Sequence, residues 1–211
     1  MDDDNIRQRI IEASRERFYA MGFSKVTMDE MASELGISKK TMYKYFPSKD
    51  DLIDAITEWQ MIRVLGRVKE IVNSPDDFIE KIHNLWSFVG ETYSRMSKQY
   101  HDDMRRFRPD LWKRIEEFRN QHLIENATKL IDEGIKRGVF REDVNKEILV
   151  LHYVSAVQAI LCPEVLVQHS FSAEEAFKTI LRVTFDGILT DESREDYRRK
   201  CTIEKSEVRT T

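Results

Sequence analysis

Four lysines and two tyrosines fall within the twelve residues 38–49, Ser-Lys-Lys-Thr-Met-Tyr-Lys-Tyr-Phe-Pro-Ser-Lys, and no acid interrupts them. Each ammonium offers three hydrogen-bond donors and a full positive charge, which suits phosphate oxygens and the acceptor edges of bases. Tyrosine adds a flat ring and a hydroxyl. Such a set recognises a polyanion and breaks no bond. If a helix carries it, Met42 and Phe46 lie four apart and point inward with Ile37, leaving Lys39, Lys40, Thr41, Tyr43 and Lys44 outside.

The flanking residues specify such a helix. Ser38 is a good N-cap, and Pro47 ends the segment. Upstream, Thr27 and Glu30 have capping-box spacing, with Val26 and Met31 as the hydrophobic staple. Met28, Met31, Ala32 and Leu35 then fall on one face. Ala32 is small where two helices must cross, and Gly36 stands where the chain turns with positive φ. Cap, small residue, glycine, plug, cap and basic-aromatic face follow in the order of a helix-turn-helix that inserts its second helix into DNA. A recognition helix of about eight residues spans roughly 12 Å, the width of the major groove. The plain alternative is an αα-hairpin with a solvated basic face. Against it stand Tyr43, Lys44 and Tyr45, costly choices for a surface without a partner.

The rest of the chain must support this reader. An apolar face of Ile10, Ile11, Ser14, Phe18 and Met21 predicts a first helix over 6–21, ended by Gly22 with Phe23 folding back. Ser48 and Asp51 cap a fourth helix to about Val72, whose Leu52, Ile53 and Ile56 cover the inner side of the reader. Ser74-Pro75-Asp76-Asp77 reads as a cap with proline at the first helical position. The helix it opens carries Phe78, Ile82, Leu85, Trp86, Val89, Tyr93 and Met96. Residues 97–108 are polar and basic, with a break near Pro109. A helix from about Asp110 to Gly138 includes Leu111, Ile115, Phe118, Ile124, Ala127, Leu130 and Ile131. Residues 145–168 are the most apolar helical stretch, which Pro163 should kink or end early. Ser172 and Glu175 open the last helix. Strand-like alternation is absent, so the fold class is all-α: an N-terminal three-helix helix-turn-helix domain over 1–50, a helical regulatory and dimerisation domain over 51–191, and a charged tail over 192–211 expected to fray.

Charge follows the same division. The 211-residue chain has a net charge of −4, yet residues 5–49 hold nine Lys/Arg against five Asp/Glu. A basic head on an acidic body suits a protein that touches DNA with one end. Two cysteines, Cys162 and Cys201, give no disulfide framework, no apolar run is long enough for a membrane span, and the acidic N-terminus lacks a leader's pattern, which together predict a cytoplasmic protein. The histidines at 83, 101, 122, 152 and 169 show no metal-ligand spacing, and no nucleophile elbow, phosphate loop or paired-carboxylate motif occurs. No enzyme, metal or cofactor is expected.

Residues 10–56 resemble the DNA-binding domain of the TetR family of bacterial transcriptional regulators. The resemblance rests on Ala13, Phe18, Gly22, Thr27, Ala32, Gly36-Ile37-Ser38, Thr41, Tyr43, Tyr45-Phe46, Ser48-Lys49 and Leu52, with a weaker likeness at 138–143. It departs at Lys40, where many members carry glycine or another small residue, and at Tyr45, where histidine is also common. The resemblance implies that Thr27 and Lys49, at the starts of their helices, meet phosphates, and that Tyr43 and Tyr45 meet phosphate and sugar. It places Lys39, Lys40, Thr41 and Lys44 nearest the base edges, with Ser38 at the helix start. If all four lysines per head neutralised phosphates, a dimer would show a log K against log salt slope of roughly −7 as an upper bound.

The stripes of 145–167 and 172–190 could be plain core or a dimer interface; both are apolar over more than one face, which favours dimerisation. The resemblance likewise implies a homodimer through 145–190, a two-fold-symmetric operator in double-stranded DNA, and a small, largely apolar effector that releases it, the action of a repressor. Aromatic and polar candidates for the effector pocket are Trp86, Tyr93, Trp112, Phe118, His122, Tyr153 and Gln158; aromatics at helical spacing equally serve as plain core. Two other functions remain open at this point: an architectural or cell-cycle DNA-binding protein on the same scaffold without an effector, and a helical ligand carrier whose basic hairpin is incidental.

Overall fold

The computed structural model describes residues 3–161 and 163–195, without the side chains of Asp3, Asp4, Trp86, Tyr93, Pro163, Glu164, Val167 and Glu174. The described residues are helical with no strand, in the order α1 (Asp3–Met21), α2 (Met28–Glu34), α3 (Lys39–Tyr45), α4 (Lys49–Val72), α5 (Phe78–Ser94), α6 (Lys98–Phe107), α7 (Pro109–Lys136), α8 (Lys146–Ile160), α9 (Pro163–Gln168) and α10 (Ala173–Ile188). The described residues form two compact units, one within 1–67 and 92–119, the other within 68–91 and 120–195.

In the first unit one apolar cluster joins α1, α2, α3 and the start of α4 to residues of α6 and α7. Ile10, Phe18, Met31, Met42, Phe46, Leu52 and Ile56 are buried together with Tyr100, Met104 and Leu111. Burial of each large side chain contributes about 2 kcal/mol, so the short helices α2 and α3 depend on this shared core more than on propensity. The sequence leaves 97–108 as a polar stretch, whereas the structure forms α6 there, capped by Ser97, whose side chain accepts from the Tyr100 amide. The reason is a buried stripe of Tyr100, Asp103 and Met104 on an otherwise charged helix. Tyr100 packs edge-on to Tyr19 at 4.7 Å and to Phe23 at 6.2 Å. Asp103 is 1% exposed and accepts from the Ser24 amide at 2.7 Å and from Gln99 at 2.8 Å.

Gly22 allows this approach. Its φ is +78°, and a Cβ there would lie 2.5 Å from Gln99 Cγ and 2.6 Å from Asp103 Oδ2. Met21, expected on the apolar face of α1, is instead exposed, because the stripe passes through Phe18 and Tyr19.

In the second unit, Phe140 stacks on Phe185 at 5.2 Å and meets Phe78 edge-on at 5.1 Å. The Phe140 edge also lies against Gly134, where a Cβ would come within 2.2 Å of the ring. An isolated bridge pairs Phe140 with Leu189, with Arg141 N donating to Ile188 O and Thr190 N to Val139 O. Lys81 is 2% exposed and donates to both Glu133 oxygens, at 2.9 and 2.8 Å, and Glu133 also holds Arg137 at 2.6 Å.

Two helix starts differ from expectation or refine it. α5 begins at Phe78, three residues beyond Pro75, because the Asp77 carboxylate accepts from the Ile79 and Glu80 amides and so takes the cap. The apolar stretch 145–168 divides into α8, capped by Asn145, and α9, which opens at Pro163, as the proline requires. Ile124, expected inside, is 44% exposed. Residues 191–195 are helical, and the remainder of the expected tail, 196–211, lies outside the described residues, as do Cys162 and Cys201.

Candidate nucleic-acid interface

The reader is assembled locally. Thr27 Oγ1 accepts from the Glu30 amide at 3.2 Å, while the Glu30 carboxylate accepts from Thr27 N at 2.7 Å, closing the capping box. Gly36 turns the chain at φ +66°, and the Ile37 amide donates back to Ala32 O at 3.0 Å. Ser38 Oγ accepts from the Thr41 amide at 3.0 Å and starts α3. Met42, fully buried, and Phe46, 2% exposed, fix the inner face, and the Arg7 guanidinium covers the Phe46 ring at 5.4 Å.

With that face anchored, Lys39, Lys40, Tyr43 and Lys44 are exposed together, Tyr43 at 45%. Tyr45 is half-buried against the core, and Lys44 Nζ stands 5.0 Å over its ring. The Ser38 and Thr41 hydroxyls are 2.8 Å apart and satisfy each other. Ser48 caps α4 by accepting from the Asp51 amide at 3.1 Å, which puts Lys49 in the first turn. Burial lowers the Lys49 ammonium pKa, opposed by the nearby carboxylates of Asp103, Asp50 and Glu30.

Two features of this surface bear on how it could meet a phosphate. The Thr27 hydroxyl already donates to Glu30 at 2.9 Å, and its hydrogen bonds hold the Glu30 carboxyl below the usual carboxylate range. A phosphate reaching Thr27 therefore competes with that carboxylate. Lys39, meanwhile, pairs across the turn with Asp29 at 2.5 Å, which raises its pKa. No spacing rule joins residues ten apart on two helices; only the turn at Gly36 brings them together.

The candidate pocket residues do not fall in one unit. Trp112 packs on the core of the first unit, 5.9 Å from the His101 ring, and Phe118 belongs to the same unit. His122, Tyr153 and Gln158 lie in the second; His122 Nδ1 is 3.5 Å from Glu125, Tyr153 is 8% exposed and Gln158 is half-buried. The side chains of Trp86 and Tyr93 lie outside the described residues. Burial lowers the pKa of His101, opposed by Asp102. Among the described residues, no group of three or more His, Cys, Asp or Glu side chains is placed to hold a metal ion, and no helix is long and apolar enough to cross a membrane.

Comparison with known proteins agrees with the geometry. The family model described as "Bacterial regulatory proteins, tetR family" matches residues 10–56, the segment that builds the reader. The HTH-type transcriptional regulator YvaF of Bacillus subtilis is 26% identical over 187 residues, spanning 88% of this chain and 96% of that protein. The HTH-type transcriptional repressor KstR2 of Mycolicibacterium smegmatis is 21% identical over 185 residues, 86% of this chain and 90% of its own. The crystal structure of a transcriptional regulator from Cytophaga hutchinsonii shares the fold with a TM-score of 0.67 at 24% identity, covering 87% of this chain and 98% of that one. Residues 10–56 thus form the helix-turn-helix domain of the tetR family of bacterial regulatory proteins, and the chain is similar over most of its length to HTH-type transcriptional regulators.

Proposed function

We propose that the protein is a homodimeric repressor that lays α3 in the major groove of a two-fold-symmetric operator and is released when a small, largely apolar effector binds its helical body. The observation that carries the DNA contact is the two-sidedness of α3: Met42 and Phe46 buried beneath an exposed face of Lys39, Lys40, Tyr43 and Lys44. Phosphate contacts by Lys49 and the tyrosines would set the register, and the lysines of α3 with Thr41 would read base edges. The repressor named among the similar proteins supports the sign of regulation, and such a protein works in the cytoplasm with the DNA.

Dimerisation is supported by α8 and α10, which pack on each other. Leu149, Val150, Tyr153, Val154 and Val157 point inward, while Ile148 at 65% and Leu151 at 55% exposure stand on the other side of α8, and Val183 at 62% on α10. Exposed apolar residues at adjacent helical positions favour a second copy of the same surface.

For release, α6 is the element that ties the reader down. Ser97 N donates to Tyr19 O at 2.8 Å and Asp103 holds Ser24, so displacement of α6 would disturb the loop that leads into Thr27. The effector acts only through its differential affinity for the two arrangements.

The test is the double change Tyr43→Ala, Lys44→Ala. Both side chains are exposed or stacked on the surface, so the far-UV circular dichroism should be unchanged while operator affinity falls by about 1000-fold or more, from two lost contacts of about 1–3 kcal/mol in each half-site. Retained operator affinity would favour a carrier with an incidental basic hairpin.

A further inference from the structure

We propose that Asp29 is a specificity-determining residue: it neutralises Lys39 toward phosphate and steers that lysine toward the base edges. The inference rests on the DNA reading of α3 given above. The twelve residues 38–49 contain no acid, and Asp29, across the turn on α2, brings a carboxylate to the first residue of the recognition helix. Asp29 Oδ2 accepts from Lys39 Nζ at 2.5 Å, and both side chains are open to solvent, at 47% and 68% exposure, so the pair lies on the surface that meets the ligand. The hydrogen bond and charge of Asp29, with a lesser contribution from Tyr43 one turn along α3, raise the Lys39 pKa. Asp29 is not needed for the cap of α2, which Thr27 and Glu30 complete between themselves.

An ammonium has three donors. With one given to Asp29, two remain for acceptors such as guanine O6 and N7, which are hydrogen-bond targets with no net charge. A phosphate differs, because it is recognised largely through charge and the release of its counterions. A lysine already paired with a carboxylate contributes little to that release. Asp29 thus lowers affinity for all DNA while sparing the sites where Lys39 finds a base. Affinity for random DNA comes almost wholly from phosphate contacts, so the residue raises the ratio of specific to non-specific binding.

The experiment uses the full-length protein, fluorescence anisotropy with labelled duplexes, and salt from 50 to 200 mM. Two duplexes are compared, a selected operator and a scrambled sequence, with Asp29→Asn, Lys39→Gln and the double variant. On scrambled DNA, Asp29→Asn should steepen the slope of log K against log salt by about 0.9 per head, roughly 2 in a dimer, so that its affinity falls about tenfold more than the wild type's between 50 and 200 mM salt. The double variant, which restores the wild-type charge, should match wild type on scrambled DNA and bind the operator more weakly. Asp29→Ser serves as a second variant should Asp29→Asn lose its helical spectrum.

An unchanged slope in both Asp29 variants overturns the proposal and leaves the DNA reading standing. So does a double variant that binds the operator as wild type does. A wild-type protein with no salt dependence on either duplex overturns this proposal together with the reading on which it rests.

Discussion

Replacing Gly22 by alanine should cost far more stability than replacing Gly36, although both glycines have positive φ, +78° and +66°. The conformational part is shared: a left-handed residue with a Cβ costs roughly 1–2 kcal/mol. The surroundings differ. Around Gly36 no atom lies within 4 Å of an added Cβ, so Gly36→Ala should lose only that amount. At Gly22 the new methyl meets Gln99 Cγ at 2.5 Å and Asp103 Oδ2 at 2.6 Å, and α6 has to move. Asp103 then loses the Ser24 amide while still buried, which adds about 1–3 kcal/mol for an unsatisfied polar group. Gly22→Ala should therefore lose roughly 2–5 kcal/mol in all. For a chain of this size 1 kcal/mol is about 2–4 °C in Tm, so the difference between the variants should be at least a few degrees. The assay is thermal and urea unfolding followed by circular dichroism at one fixed protein concentration, because the midpoint of a protein that associates depends on concentration. Equal midpoints for the two variants would refute the packing of α6 on the loop that follows α1.

Two further outcomes test other parts of the structure. Glu133→Gln removes the partner of the buried Lys81 ammonium and should destabilise the protein by about 3–5 kcal/mol in urea titration, whereas Glu125→Gln, on an exposed pair with Lys129, should change stability by under 1 kcal/mol. Ile148→Glu places a charge on the exposed apolar side of α8 and should convert the species seen by light scattering from a dimer to the 25.1 kDa monomer without loss of helical signal; a dimer that persists would move the interface elsewhere.

The parts legible in the sequence are those whose causes are local. Thr27 with Glu30, Ser38 with Thr41 and Ser48 with Asp51 each satisfy a helix terminus within three residues, and the glycines at 22, 36 and 138 sit where φ becomes positive. The exposed face of α3 followed from two inward residues four apart. The parts not legible depend on distant partners. Asp103 and Lys81 are charged residues that become buried only because Ser24, 79 residues away, and Glu133, 52 away, meet them. Without those partners in view, α6 looks like a polar connection. Pro75 misled for a smaller reason: it is a good first helical residue, but Asp77 supplies a side-chain cap that proline cannot. Asp29 carries no signal at all, since its meaning exists only after the turn has set α2 against α3.

The most direct test of the account is selection of bound sequences from random duplex DNA by the purified, full-length protein. The proposed placement of α3 on a two-fold dimer predicts enrichment of one inverted repeat, with matching contacts in both halves and binding that weakens as salt rises. Selected pools that show no enrichment over the input, or a single unrepeated site bound by one protomer, would contradict it.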